Sequence, residues 1–226
     1  MTSAGPFSIF SFSLILMMLT ALVTIVVSAK YGYKVKQLRF IPFYCLASFL
    51  QTLLFTIGHF IIKIDKNIIH ISVIIFVIIE FALFSNFLRY QLLSSKLKSL
   101  VGMMNSIFLI FLTCIWFLPD YIFYSHTTDA IFVFESFFLL IPCLFYFYEL
   151  FKVPMLTDLK NNPAFWVVTG IFFLSCSSIP LFLLISFMDR FKAYYGAFYS
   201  LNYILYILLF LLFIRASTCR IQTEIS

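Results

Sequence analysis

Residues 68–90 read IIHISVIIFVIIEFALFSNFLRY. This run is 23 residues long, is apolar on every side, and is interrupted by one acid, Glu80, near its middle. A helix needs about 20 apolar residues to cross roughly 30 Å of hydrocarbon. A barrel strand would need about ten residues of alternating polarity, which this run lacks. The stretch therefore predicts a transmembrane helix over Ile68–Tyr90, and Glu80 becomes a question, because an ionisable group at mid-bilayer is costly.

Working outward, six further runs have the same character: Phe7–Ala29, Ile41–Ile62, Leu100–Leu118, Ala130–Phe151, Phe165–Met188 and Gly196–Ile214. The connections between them are short. The expected fold is all-α: one polytopic seven-helix transmembrane bundle occupying residues 1–226 as a single domain. Composition agrees. Of the 226 residues, 63% are hydrophobic and only 11% charged, against about 45–50% and 25% in soluble domains. Phe7–Ala29 reads as a retained helix, since it exceeds a usual signal-peptide core and no Lys or Arg precedes it, although Val27-Ser28-Ala29 faintly resembles a cleavage site.

Lys and Arg in short loops set orientation. Eleven lie on one side: Lys30, Lys34, Lys36, Arg39, Arg89, Lys96, Lys98, Lys152, Lys160, Arg215 and Arg220. Four lie on the other: Lys63, Lys66, Arg190 and Lys192. This bias predicts an outside N-terminus and a cytoplasmic tail, in the inner (cytoplasmic) membrane of a cell. The net charge of +6 is topogenic in this reading, so no nucleic-acid partner is expected.

The polar residues inside the spans are the candidates for function. Glu80 lies mid-span in the third run and Glu135 about two turns from the outer end of the fifth. His59 and Asn202 lie near the outer ends of the second and seventh. Together they outline a ligand pocket toward the outer half of the bilayer. Each also has a structural reading, as a neutral group bonding neighbouring helices, and Gln51 is read that way. Glu149, beside Lys152, reads as a solvated boundary residue, and Phe145-Tyr146-Phe147-Tyr148 as part of an aromatic belt. Pro180, preceded by Ser175, Ser177 and Ser178, predicts a kink in the sixth span.

No motif for catalysis or cofactor binding is found. There is no GxSxG elbow, no HExxH or other metal spacing among the three histidines, and no CxxC among the five cysteines. With six glycines there is no phosphate-cradling loop. No cofactor and no metal are expected, and the cysteines read as small apolar packing residues.

Glu80, the stretch from Glu135-Ser136-Phe137-Phe138 through Tyr146-Phe147-Tyr148-Glu149-Leu150-Phe151 to Asn161-Asn162-Pro163-Ala164-Phe165-Trp166-Val167, and Asn202-Tyr203-Ile204-Leu205-Tyr206 together resemble a largely uncharacterised family of small seven-span integral membrane proteins of Bacteroidetes-type bacteria. Members often lie beside sensor histidine kinases or response regulators. The resemblance implies a signalling role by association and supplies no catalytic residue. A sensor histidine kinase or other signalling protein is the expected partner, alongside the lipid bilayer. The function expected is that of a seven-span sensor binding a small or lipophilic ligand. The alternatives are an intramembrane lipid hydrolase using Glu80 and Glu135, and a small transporter.

Overall fold

The computed structural model describes residues 6–32, 35–60, 66–116, 127–152, 159–187 and 195–219. Among them are seven long helices and no strand: α1 (Pro6–Lys30), α2 (Phe40–Phe60), α3 (Lys66–Gln91), α4 (Ser95–Trp116), α5 (Thr127–Lys152), α6 (Pro163–Phe187) and α7 (Tyr195–Thr218). All seven are long and apolar enough to cross a bilayer, the architecture of a multi-pass membrane protein. The expected spans coincide with them, with small differences at the ends. The largest is at α4, which begins at Ser95 and so includes Lys96 and Lys98 in its first turn.

The strongest packing runs α1–α2–α3–α5–α6–α7 and back to α1, while α4 lies in the groove between α3 and α5. Each helix shows large apolar side chains outward, among them Phe12, Phe43, Ile75, Ile110, Phe137, Phe173 and Leu211. Water would not tolerate this belt, but lipid does. The inner faces interlock through aromatic rings. Tyr44 of α2 packs on Phe84 of α3 at 4.5 Å and on Phe213 of α7 at 5.9 Å between ring centroids. Small residues allow close approach elsewhere. A Cβ placed on Gly170 of α6 would come within 2.9 Å of the Leu209 side chain on α7.

Both helices that contain an internal proline continue through it, α5 through Pro142 and α6 through Pro180. Gln51 donates to the Ser72 hydroxyl at 3.2 Å and ties α2 to α3. Ser85 and Asn105 bond each other and tie α3 to α4. The four-residue aromatic run divides its labour. Tyr148 is exposed, but Tyr146 is buried, and Phe147 packs edge-on against Phe165 and Phe172 of α6.

The helices alternate in direction, so the ends of α1, α3, α5 and α7 meet the starts of α2, α4 and α6. This end carries Lys30, Arg39, Arg89, Lys96, Lys98, Lys152, Lys160 and Arg215 and is the basic end of the bundle.

Candidate functional site: a carboxylate clamp and its unpaired neighbours

Glu80 sits on the inward face of α3 with 2% of its surface exposed. A lone carboxylate in such a place carries a desolvation cost that only strong hydrogen bonds offset. Two tyrosines supply them. The Tyr44 hydroxyl of α2 donates to Oε1 at 2.8 Å, and the Tyr206 hydroxyl of α7 donates to Oε2 at 3.0 Å. Three helices therefore converge on one side chain. Phe76, Phe84, Phe210 and Phe213 surround Tyr44 and keep the clamp in an apolar shell.

Neither tyrosine is marked by the sequence, which holds thirteen of them. Their helix neighbours extend the site. Ser48 lies one turn beyond Tyr44 on α2, and Asn202 one turn before Tyr206 on α7, a spacing that puts each pair on one helix face. Asn202 is buried, with its Oδ1 unpaired, and the buried Ser48 Oγ is unpaired as well.

Glu135 completes the set from α5. It is 4% exposed, and its Oε1 finds no hydrogen-bond partner. It lies within electrostatic reach of Glu80. On the neighbouring α6 the Ser175 Oγ is also buried and unpaired. The two carboxyls thus differ. Glu80 has a donor on each oxygen, whereas Glu135 has an acceptor to spare.

Three of the four expected site residues, Glu80, Glu135 and Asn202, are thus buried inside the bundle on α3, α5 and α7. His59 lies on α2 near its far end, and its side chain is outside the described residues. The sequence reading did not single out Tyr44 or Ser48, and it named Tyr206 and Ser175 in other connections and not as site residues. Helical spacing from Asn202 is a signal that could have found Tyr206. Among the described residues no cluster of His, Cys, Asp or Glu could hold a metal ion.

A second polar assembly closes the basic end. Glu149, read from sequence as a solvated boundary residue, is half-buried there and accepts the backbone N–H groups of Leu93 at 2.7 Å and Ser94 at 2.8 Å. These amides precede α4, so Glu149 places an anion at the positive end of that helix. The Lys160 carbonyl accepts the Trp166 indole N–H at 3.0 Å, Arg215 Nη2 at 3.4 Å and the Cys219 thiol at 3.5 Å. The Arg215 guanidinium lies 5.6 Å from the Trp166 ring centroid, a cation–π contact. Asn162 caps α6, its Oδ1 accepting the amides of Ala164 at 3.0 Å and Phe165 at 3.4 Å, and Pro163 takes the first helical position that suits proline.

Comparison of the chain with protein-family models, with curated proteins and with solved structures gives no match.

Proposed function

We propose that this chain is a seven-helix membrane sensor whose ligand binds in the buried polar core and whose output passes to a cytoplasmic or membrane partner. The observation that carries the reading is the pair of unpaired buried acceptors, Glu135 Oε1 and Asn202 Oδ1, flanking a carboxylate that is already satisfied. An unpaired acceptor in an apolar interior costs about 1–3 kcal/mol. A ligand bearing hydrogen-bond donors (a hydroxyl, an amine or a hydronium) recovers that cost on binding.

Helix α7 connects the core to the basic end. Asn202 and Tyr206 face the clamp, and Arg215 on the same helix engages Trp166 and the Lys160 carbonyl. Asn202 and Arg215 are about 20 Å apart along a helix that rises ~1.5 Å per residue. A shift of α7 that satisfies Asn202 therefore alters the Arg215 contacts. In this reading the basic end faces the cytoplasm of a bacterial inner membrane, and the N-terminus lies outside. The family resemblance points to a histidine kinase or another signalling protein as the partner.

Affinity capture of the tagged chain from native membranes, beside Glu135→Gln, tests the reading. A signalling protein recovered with the parent and lost or reduced with the variant supports it. Recovery of no partner, or identical partners from both forms, counts against it. A reporter fusion at residue 226 that is active only in the periplasm would overturn the orientation.

A lipid hydrolase using Glu80 and Glu135 has less support, because acid–base work needs a carboxyl free to reach a reacting atom, and both Glu80 oxygens are already held by tyrosines.

A further inference from the structure

Away from the carboxylate clamp, a cavity of about 290 Å³ opens at the basic end between α2 and α3. Leu83, Asn86, Phe87 and Tyr90 line it from α3, and Gln37 and Phe40 line it from the start of α2 and the turn before it. The lining carries no charge. Its four α3 residues stand at i, i+3, i+4 and i+7, the frame of the hole into which a facing parallel helix inserts one side chain. The surface around the hole has the matching period. Ile79, Leu83, Asn86 and Tyr90 follow one another at spacings of four, three and four residues, as in the seam of a coiled coil. Ile79, Asn86 and Tyr90 are exposed and Leu83 is half-buried. The seam therefore looks outward from the bundle.

Asn86 decides what covers the seam. It lies five residues before the end of α3 at Gln91, about 7.5 Å along the axis, and so stands within the apolar span. Its side chain is exposed there, and among the described residues its carboxamide has no hydrogen-bond partner. Acyl chains offer it none, and a polar group facing hydrocarbon is costly until another helix bonds it. A carboxamide is both donor and acceptor, so it can pair with its own copy. Two copies of the chain lie in one membrane in the same orientation, and a twofold axis along the membrane normal sets their α3 helices parallel and equal positions level. The two Asn86 side chains then each donate to the other's oxygen, and each enters the hole framed by Leu83, Asn86, Phe87 and Tyr90 of the opposite copy. Arg89, beside the seam, holds its guanidinium against Gly102 of α4, so the seam itself is uncharged. We infer that the outer face of α3 is a homodimer interface, in which a second copy of this chain packs its α3 in parallel and the paired Asn86 carboxamides enter the α2–α3 grooves.

The test uses the full-length protein, labelled once per chain and reconstituted in vesicles at increasing lipid dilution, with copies counted by photobleaching steps. Pairs are expected, and their number should fall on dilution. Asn86→Leu should weaken pairing about tenfold, the upper worth of a hydrogen-bonded contact within a membrane, and Asn86→Gln, which keeps a carboxamide, should weaken it less. Leu83→Trp fills the hole and should weaken pairing too, with helix content by circular dichroism checking its fold. Oxidative cross-linking fixes the register. With the exposed Cys114 and Cys176 replaced by alanine, Ile79→Cys on the seam should cross-link several-fold faster than Ile78→Cys, which is also exposed but lies off the seam. Single copies at every dilution, pairing unchanged by Asn86→Leu, or equal cross-linking at 78 and 79 overturns the inference. So does a single copy that retains a lipid in native mass spectrometry and loses it in Leu83→Trp, which would make lipid the occupant of the groove.

Discussion

Tyr44 and Tyr206 lie on helices at opposite ends of the sequence, yet each donates its hydroxyl hydrogen to a different oxygen of Glu80, at 2.8 and 3.0 Å. The carboxylate therefore joins α2 and α7 through α3. Removing one donor leaves the carboxylate with one partner. Removing the carboxylate strands two buried hydroxyls. Interhelical hydrogen bonds in membrane proteins are worth about 0.6 kcal/mol on average and up to ~1.7, and a buried carboxyl acceptor in an apolar shell belongs at the upper end. Tyr44→Phe and Tyr206→Phe are each expected to destabilise the bundle by about 1–2 kcal/mol.

Glu80→Leu is expected to cost about 2–4 kcal/mol, since each stranded hydroxyl costs ~1–3. The triple variant Tyr44→Phe, Tyr206→Phe, Glu80→Leu should recover much of that, because no polar group remains unpaired. Thermal or denaturant unfolding in detergent gives the cycle. Strict additivity of the three substitutions would show that the clamp contributes nothing of its own.

Glu135 should behave in the opposite way. Its Oε1 is unpaired and buried, so its truncation removes a cost as well as a side chain. Glu135→Leu is expected to change stability by less than about 1 kcal/mol, or to raise it, while abolishing the partner response under the sensor reading. A stability loss matching that of Glu80→Leu would make Glu135 a structural residue. The contrast between the two acids is the measurement that separates function from scaffolding here.

The positions of the seven helices were legible in the sequence because hydropathy and length report directly on the cost of placing a segment in hydrocarbon. Glu80, Glu135 and Asn202 were legible for the same reason, since their cost makes them conspicuous in an apolar run. Tyr44 and Tyr206 were not. A tyrosine sits as comfortably at a lipid boundary as in a core, and these helices are apolar all round, so no polar face shows which side looks inward. The boundary position of Glu149 was legible beside Lys152, but its partners were not, because they are backbone amides more than fifty residues away. The lateral position of α4 and the groove beside Phe87 depend on helix order in the bundle, which hydropathy does not encode.

Glu149 yields a local prediction. It supplies both acceptors for the Leu93 and Ser94 amides, at the positive end of the α4 dipole. Loss of such a cap costs about 0.5–2 kcal/mol. Glu149→Ala should destabilise the fold by about that much and speed amide exchange at 93 and 94, while exchange around Glu80 stays slow. Glu149→Gln keeps one acceptor and loses the charge, so it should fall between. Unchanged exchange at 93 and 94 in the alanine variant would remove Glu149 from the cap.

Cys219 follows the end of α7, and its thiol donates to the Lys160 carbonyl at 3.5 Å. Burial pushes this thiol above its ordinary value, against the pull of the nearby Arg215 charge. A raised thiol holds its proton more tightly folded than unfolded. Its contribution to stability is therefore complete below the ordinary thiol range and is lost as pH rises through the folded value. Only the thiolate reacts with a maleimide. Labelling of Cys219 at pH 7 should therefore be slower than that of a free cysteine and should rise with pH. Arg215→Gln removes the opposing charge together with the contacts to Trp166 and Lys160. If the thiol stays buried, labelling slows further; if α7 comes loose from the basic end, labelling speeds up. The sensor reading requires this contact to be the one that gives way on activation, so Arg215→Gln is expected to label faster than the parent. Slower labelling would show that α7 is fixed at the basic end by its packing, including the close approach of Leu209 to Gly170, rather than by Arg215.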